Sequence, residues 1–185
     1  MLLSRSEQHL LLRFARETIG AHLDRRPFPV LAATGGLNCR SGAFVTLHVE
    51  QLLRGCIGYP EADQALLEVV GRCAISAATE DPRFPPLTAG DLDRVHLEIS
   101  VLGRLEPVED PTTIEVGRHG LVLQRGYRRG LLLPQVAIEW VWDRETFLAQ
   151  ACMKAGLPPD AWRHGAQIFR FEAEVFGEEG LRLRA

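Results

Sequence analysis

The chain has 185 residues, 46% of them hydrophobic and 24% charged. That composition supplies a buried core for one domain, or one domain with a smaller lobe, and excludes a disordered chain. A formal net charge of −3 and a pI near 6.1 argue against a general nucleic-acid binder, which carries a basic face.

Met1 to Arg13 holds Leu10-Leu11-Leu12 but no long apolar stretch and no small-residue cleavage site, so a signal peptide is not expected. No apolar run approaches the ~20 residues that a membrane helix needs, and the expected location is the cytoplasm. The four cysteines, Cys39, Cys56, Cys73 and Cys152, form no Cys-x-x-Cys pair. In a reducing compartment they read as free thiols.

Residues 4–23 carry a helical pattern. Ser4 and Glu7 fit a capping box, and Leu11, Ala15, Ile19 and Leu23 form an apolar stripe with Phe14 beside it. Pro27 and Pro29 break the helix, and 34–38 reads as a glycine loop. From Gly42 to Glu50 the pattern alternates: Ala43, Val45, Leu47 and Val49 share one face, and Phe44, Thr46, His48 and Glu50 the other. Gln51-Leu52 is the expected turn, and Leu53 to Ile57 the expected antiparallel return. In an extended return strand Arg54 and Cys56 point the same way.

Asp63 is placed to cap a helix striped by Leu66, Val69 or Val70, Cys73, Ala74 and Ala77, which assigns Cys73 to the core. Three prolines stiffen the connector 80–87, which carries Arg83. Val95 to Leu102 is a clear strand, and Leu121 to Arg125 and Leu131 to Leu133 flank a hairpin tip at 126–130. A short apolar run, Val136 to Trp142, follows Pro134-Gln135; its Trp140 and Trp142 read as core or interface residues. Asp143 caps a helix carrying Phe147, Leu148, Ala151 and Cys152, closed by Gly156. One helical turn is expected at 160–162. The last strand spans Ile168 to Phe176, with Phe169, Phe171, Ala173 and Val175 on one face. Hairpin connections dominate and no regular βαβ alternation appears. The expected class is therefore α+β, a mainly antiparallel sheet with flanking helices. Neither Gly-x-Gly-x-x-Gly nor a Walker A pattern is present.

One stretch combines chemistry with backbone freedom: Leu53-Arg54-Gly55-Cys56-Ile57-Gly58. A thiolate is the nucleophilic form of cysteine, and a neighbouring cation favours it. Leu53-Arg54-Gly55-Cys56-Ile57-Gly58 resembles the hallmark of the AMMECR-type domain, component A of the AmmeMemoRadiSam system. The resemblance extends in order through 42–47, Asp81-Pro82-Arg83-Phe84-Pro85-Pro86-Leu87, 98–102, His119-Gly120, Leu132-Leu133-Pro134-Gln135-Val136 and Lys154-Ala155-Gly156-Leu157, covering residues 5–176 and leaving a polar tail at 177–185. Tyr59 departs from it, standing where the family often has a small polar residue.

The resemblance implies a larger and a smaller lobe with a cleft lined by the Arg-Gly-Cys block. It also implies a bacterial or archaeal setting with a Memo-like protein and a radical SAM protein as partners. It supplies no settled reaction. Cys56 is the candidate nucleophile, His119 (or His96) the candidate base and Glu98 a proton acceptor or orienting group. Arg54, Gly55, Arg83 and Gln135 are candidate ligand-binding residues, with Arg54 supplying the cation beside the thiol or pairing with Asp81 or Glu98. No cofactor is expected. His48, His96 and His119 lack close ligand spacing, so no metal is expected either. The expected ligand is a small anion or a partner. The alternative is a non-catalytic adaptor or a nucleotide- or RNA-binding module, for which Arg125, Arg128 and Arg129 at the hairpin tip are the candidate basic group.

Overall fold

A computed structural model describes residues 3–60 and 63–178. The chain divides into two compact units, one made of residues 1–101 and 174–185, the other of 102–173. The class is α+β: β1 (Ala43–Val49), β2 (Leu52–Tyr59), β3 (Val95–Leu102), β4 (Glu106–Pro107), β5 (His119–Arg125), β6 (Arg128–Leu132) and β7 (Gln167–Gly177) follow the strand path β2-β1-β3-β7-β5-β6, with β4 paired to β7.

In the first unit, α1 (Arg5–Leu23) starts where the Ser4 hydroxyl accepts from the Glu7 N–H and the Glu7 carboxylate accepts from the Ser4 N–H, as the capping box predicts. The same carboxylate accepts from Gly36 N at 2.7 Å, so 34–38 is a tied 3₁₀ turn rather than a free loop. β1 (Ala43–Val49) and β2 (Leu52–Tyr59) form a hairpin. The turn falls at Glu50-Gln51, one residue earlier than expected, with φ of 50° and 65°. Positive φ at both positions is the type I′ form of a two-residue hairpin loop, and the flanking register Val49↔Leu52 leaves these two residues to supply it.

α2 (Leu66–Thr79) lies between α1 and the β1–β2 hairpin, which explains its apolar circumference. Asp63 does not cap it. Ala65 occupies the N-cap position, and the first helical N–H, that of Leu66, is taken by the Cys39 carbonyl at 2.8 Å. The helix begins two residues later than a cap at Asp63 requires, and the Cys39 carbonyl satisfies one of the N–H groups its first turn leaves open. β3 (Val95–Leu102) pairs with β1 on the side away from β2. Leu11, Ile19, Val45, Leu47, Val70, Cys73, Leu97 and Ile99 pack as one core, and complete burial of each Leu, Ile or Val side chain contributes ~1.5–3 kcal/mol.

The second unit holds β4 (Glu106–Pro107), β5 (His119–Arg125), β6 (Arg128–Leu132), α3 (Pro134–Glu139), α4 (Arg144–Lys154) and most of β7 (Gln167–Gly177). Asp143 caps α4 by accepting from Thr146 N. Gly156, at φ 71°, closes it in a Schellman turn whose second bond runs from Leu157 N to the Cys152 carbonyl. The apolar run after Pro134 is a helix, and it leaves Trp140 exposed rather than in a core. α3 ends in the same Schellman geometry, but the left-handed residue is Val141, at φ 54°. Placing a β-branched residue there costs about 1–2 kcal/mol relative to glycine.

β7 departs from simple alternation. Ile168, Phe171 and Phe176 are its buried side chains, while Val175 is 43% exposed. Ile168 belongs to the core of the second unit and Phe176 to that of the first. A strand that serves two cores has no reason to keep one parity. β7 runs to Gly177, and the Glu178 carboxylate is bound by Arg16 at 2.6 Å, so the polar tail begins later than expected. The rest of that tail, 179–185, lies outside the described residues. No helix among the described residues is long and apolar enough to cross a membrane.

Candidate functional site

The β1 residues Ala43, Val45 and Leu47 are committed to the helix-covered core. Their neighbours therefore present the opposite face. Registration places three rows there: Gly58–Phe44–Ser100, Cys56–Thr46–Glu98, and Leu53–His48–His96 across β2, β1 and β3. Directly paired residues in an antiparallel sheet lie within reach of one another. The middle row thus sets a thiol, a hydroxyl and a carboxyl side by side, and Thr46 Oγ1 donates to Cys56 Sγ at 3.3 Å.

Two glycines make this arrangement possible. A Cβ on Gly55 would lie 2.1 Å from the Ala77 carbonyl oxygen, so glycine lets the end of α2 lie against β2. A Cβ on Gly58 would lie 2.2 Å from the Phe44 ring, which folds across it beside Cys56.

β2 ends its sheet path, so its outer backbone groups need other partners. At Cys56 they find side chains. The Asp81 carboxylate accepts the Cys56 N–H at 2.9 Å, and Arg83 Nη2 donates to the Cys56 carbonyl at 3.3 Å. Asp81 and Arg83 are also joined to each other, Nε to Oδ1 at 2.9 Å and Nη2 to Oδ2 at 2.7 Å. A bidentate pair of this kind fixes geometry as well as energy. Asp81 is 5% exposed, whereas the Arg83 side chain is 54% exposed. The bonds from Arg83 and from the Cys56 N–H hold the Asp81 carboxyl well below the usual carboxylate range despite its burial. The Arg83 Nη1 edge takes part in none of these bonds.

The cation acting on the thiol is Arg83, not Arg54. The register steps from Leu47↔Gly55 to His48↔Leu53, so Arg54 is the extra residue of a β-bulge with no directly opposed partner. A bulge breaks the alternation from which a shared direction with Cys56 was expected. Arg54 acts instead on Asp91, whose carboxyl is held low first by the Thr88 hydroxyl and further by the Arg54 charge. Burial pushes the Cys56 thiol up; the Thr46 hydroxyl and then Arg83 oppose this, while Asp81 and Glu98 add to it. Cys56 is accordingly a neutral thiol at neutral pH. Cys73 is fully buried and pushed up to about 12 by desolvation, as a core cysteine should be.

The structure brings together Gly55, Cys56, Arg83 and Glu98 in the first unit, with Arg54 on the same strand and His96 in the next row. His119 and Gln135 belong to the second unit. His119 is 5% exposed and its Nδ1 accepts from Glu115 N at 3.0 Å, which leaves Nε2 as its N–H; burial pushes its pKa down. Gln135 opens α3, and its Oε1 is buried. At the hairpin tip Arg125 donates to the His164 carbonyl and Arg128 to that of Gly156, so both brace neighbouring loops. A cavity of about 450 Å³ in the second unit, walled by Pro107, Val108, Trp162 and Phe169, contains none of the expected site residues. Among the described residues no group of three His, Cys, Asp or Glu side chains is arranged to hold a metal ion.

Sequence reasoning missed the roles of Thr46 and Asp81. Thr46 was legible in principle, since it alternates onto the face opposite the core. Asp81 was not, because its partner on β2 is 25 residues away.

The AMMECR1 family model matches residues 12–176. A protein of Methanothermobacter thermautotrophicus is 47% identical, with 96% of this chain and 97% of that one covered. Protein MJ0810 of Methanocaldococcus jannaschii is 44% identical over 96% and 92% of the two chains. The crystal structure of the uncharacterized protein PH0010 from Pyrococcus horikoshii superposes with a TM-score of 0.85 at 42% identity, covering 92% of this chain and 90% of that one. Family model, relatives and structure agree over nearly the whole sequence, and the chain belongs to the AMMECR1 family.

Proposed function

We propose that the polar face of β2-β1-β3 is a binding site for a small anionic ligand, or for an anionic group of a partner, received by Arg83 beside the Cys56 thiol. One observation carries this reading. A buried carboxylate, Asp81, fixes both the Cys56 backbone and the Arg83 guanidinium, yet more than half of the Arg83 side chain stays in solvent. Holding a guanidinium in one orientation lowers the entropy cost of binding a carboxylate or phosphate oxygen at Nη1. His119 and Gln135 enter no step of this site.

A second reading makes Cys56 a nucleophile, and the Thr46 hydroxyl donating to Sγ favours it, because that bond stabilises a thiolate once formed. Glu98, on the far side of Thr46 in the same row, is then the proton acceptor. The raised thiol pKa favours the binding reading for the unliganded protein. Family membership supports work in the cytoplasm beside a Memo-like protein and a radical SAM protein; co-purification of the three recombinant chains tests that.

Paired alkylation tests the site itself. Iodoacetate and iodoacetamide share a reaction and differ in charge. Each is applied to the folded protein, and mass spectrometry reads Cys56 and Cys39, both half-buried thiols. The ratio of iodoacetate to iodoacetamide rates should be several-fold higher at Cys56 than at Cys39, and Arg83→Gln should erase that excess. Equal ratios at the two cysteines would refute the anion site. Saturation of the iodoacetamide rate itself would favour the nucleophile reading.

A further inference from the structure

We infer that the end of α3 is a docking knob for a protein partner that offers an apolar pocket rimmed by Lys and Arg. Ile138, Trp140 and Val141 are 59%, 67% and 90% exposed. They lie within four residues at the last turn of α3 and its exit, and the Trp140 ring stacks on that of Trp142 with centroids 6.2 Å apart. Together they present on the order of 400 Å² of apolar surface, which falls within the roughly 300–600 Å² of the largest, often functional, patch on a monomer. A standard interface takes ~800 Å² from each partner, of which just over half is apolar. The patch therefore supplies about the apolar core that such an interface requires, with the rest left to a polar rim.

Backbone strain is an independent sign. Val141 holds the left-handed position that closes the helix, where glycine fits without penalty. Its side chain repays none of that cost inside the unit, since it is 90% in solvent. Strain held at an exposed apolar side chain is the pattern of a residue kept for contact with something else. Ile138 is seated against Gly117, where even a Cβ would come within 2.8 Å of its Cδ1.

The rim selects the partner. Glu139 falls within the patch in sequence and Asp143 follows it by two residues, and both are exposed. Two copies of this surface would set these carboxylates against each other, which disfavours a second copy as the occupant. A basic rim complements them.

The test places a photo-crosslinking residue at the rim, Glu139→p-benzoylphenylalanine, in the full chain expressed in its native cells. The control carries it at Tyr127, which is 93% exposed on the same unit. One protein should be captured from 139 and not from 127, through a peptide flanked by Lys or Arg. That protein, purified, should bind the wild type, lose about 30-fold in affinity to Trp140→Ala, as a central aromatic anchor does, and lose affinity as salt rises. Val141→Gly should raise the urea midpoint of the chain while weakening the same binding. Capture of a second copy, equal capture from 127, no capture, or an affinity indifferent to Trp140→Ala would each overturn the inference.

Discussion

Asp81→Asn removes the charge that organises the Cys56 edge while keeping its volume. Four donors converge on this carboxylate: the N–H groups of Cys56 and Arg83 at 2.9 and 3.1 Å, and Arg83 Nε and Nη2 at 2.9 and 2.7 Å. Arg83 is half in water, so its guanidinium recovers hydration when the charge is lost, and the Coulomb part of the loss is small. Each carboxylate oxygen accepts one of the two backbone donors, so an amide keeps one of these bonds in neutral form and sets its NH2 group against the other donor, at about 1 kcal/mol each. Asp81→Asn should therefore cost about 1–2 kcal/mol at pH 7. Asp81→Ala leaves the same donors unpaired and should cost ~2–4 kcal/mol.

The pH dependence gives the sign. The folded Asp81 carboxyl is held low, chiefly by the Arg83 bonds, so the unfolded chain takes up the proton first as pH falls. Its stabilisation is complete above about pH 5 and is lost progressively below the ordinary carboxyl value of about 3.9. Urea unfolding at pH 7, 5, 3.5 and 2.5 reads this directly. The gap between wild type and Asp81→Asn should be full at pH 7 and 5 and shrink at the two lower values. A gap that stays constant with pH, or no gap at pH 7, would refute the reasoning.

Three further outcomes follow from the same geometry. Gly55→Ala drives a Cβ to 2.1 Å from a helix carbonyl that cannot rotate away, whereas Gly58→Ala meets a ring that can. The first should cost about 3 kcal/mol or more and the second about 1–2, and urea midpoints that rank them the other way would contradict the packing. In the folded protein iodoacetamide should reach Cys39 and Cys56 long before Cys73 and Cys152, which are fully buried; early modification of Cys73, read by peptide mapping, would count against it. Ser4→Ala should lower stability by about 1 kcal/mol through loss of the capping box, measured in the same unfolding experiment.

Much of the fold was legible because it rests on local periodicity. Ser4 and Asp143 are caps whose partners lie three residues away, and β1 and β3 bury one clean alternating face. The misreadings share a cause in non-local contact. α2 begins two residues past a cap at Asp63, where its Leu66 N–H meets the carbonyl of distant Cys39, and β7 changes its buried set because it meets two cores. The exposed Trp140 defied an expectation drawn from residue type alone.

The site shows the same division. Cys56 and Gly55 announced themselves through composition and resemblance. The partner of the thiol did not, because a bulge at Arg54 is invisible to a count of alternating positions. Arg83 reaches Cys56 directly and is held there by Asp81, and the course of α2 and the proline-rich connector brings this pair to β2.

The anion site at Cys56 is tested most directly by an anomalous scatterer. Crystals of the chain grown without sulfate or phosphate are soaked in selenate, and anomalous difference maps locate the selenium. The account predicts an ordered selenate hydrogen-bonded to Arg83 Nη1 beside Cys56 Sγ, absent from Arg83→Gln crystals. Selenate ordered elsewhere on the surface but not at Arg83, with Arg83 and Asp81 paired as described, would contradict it.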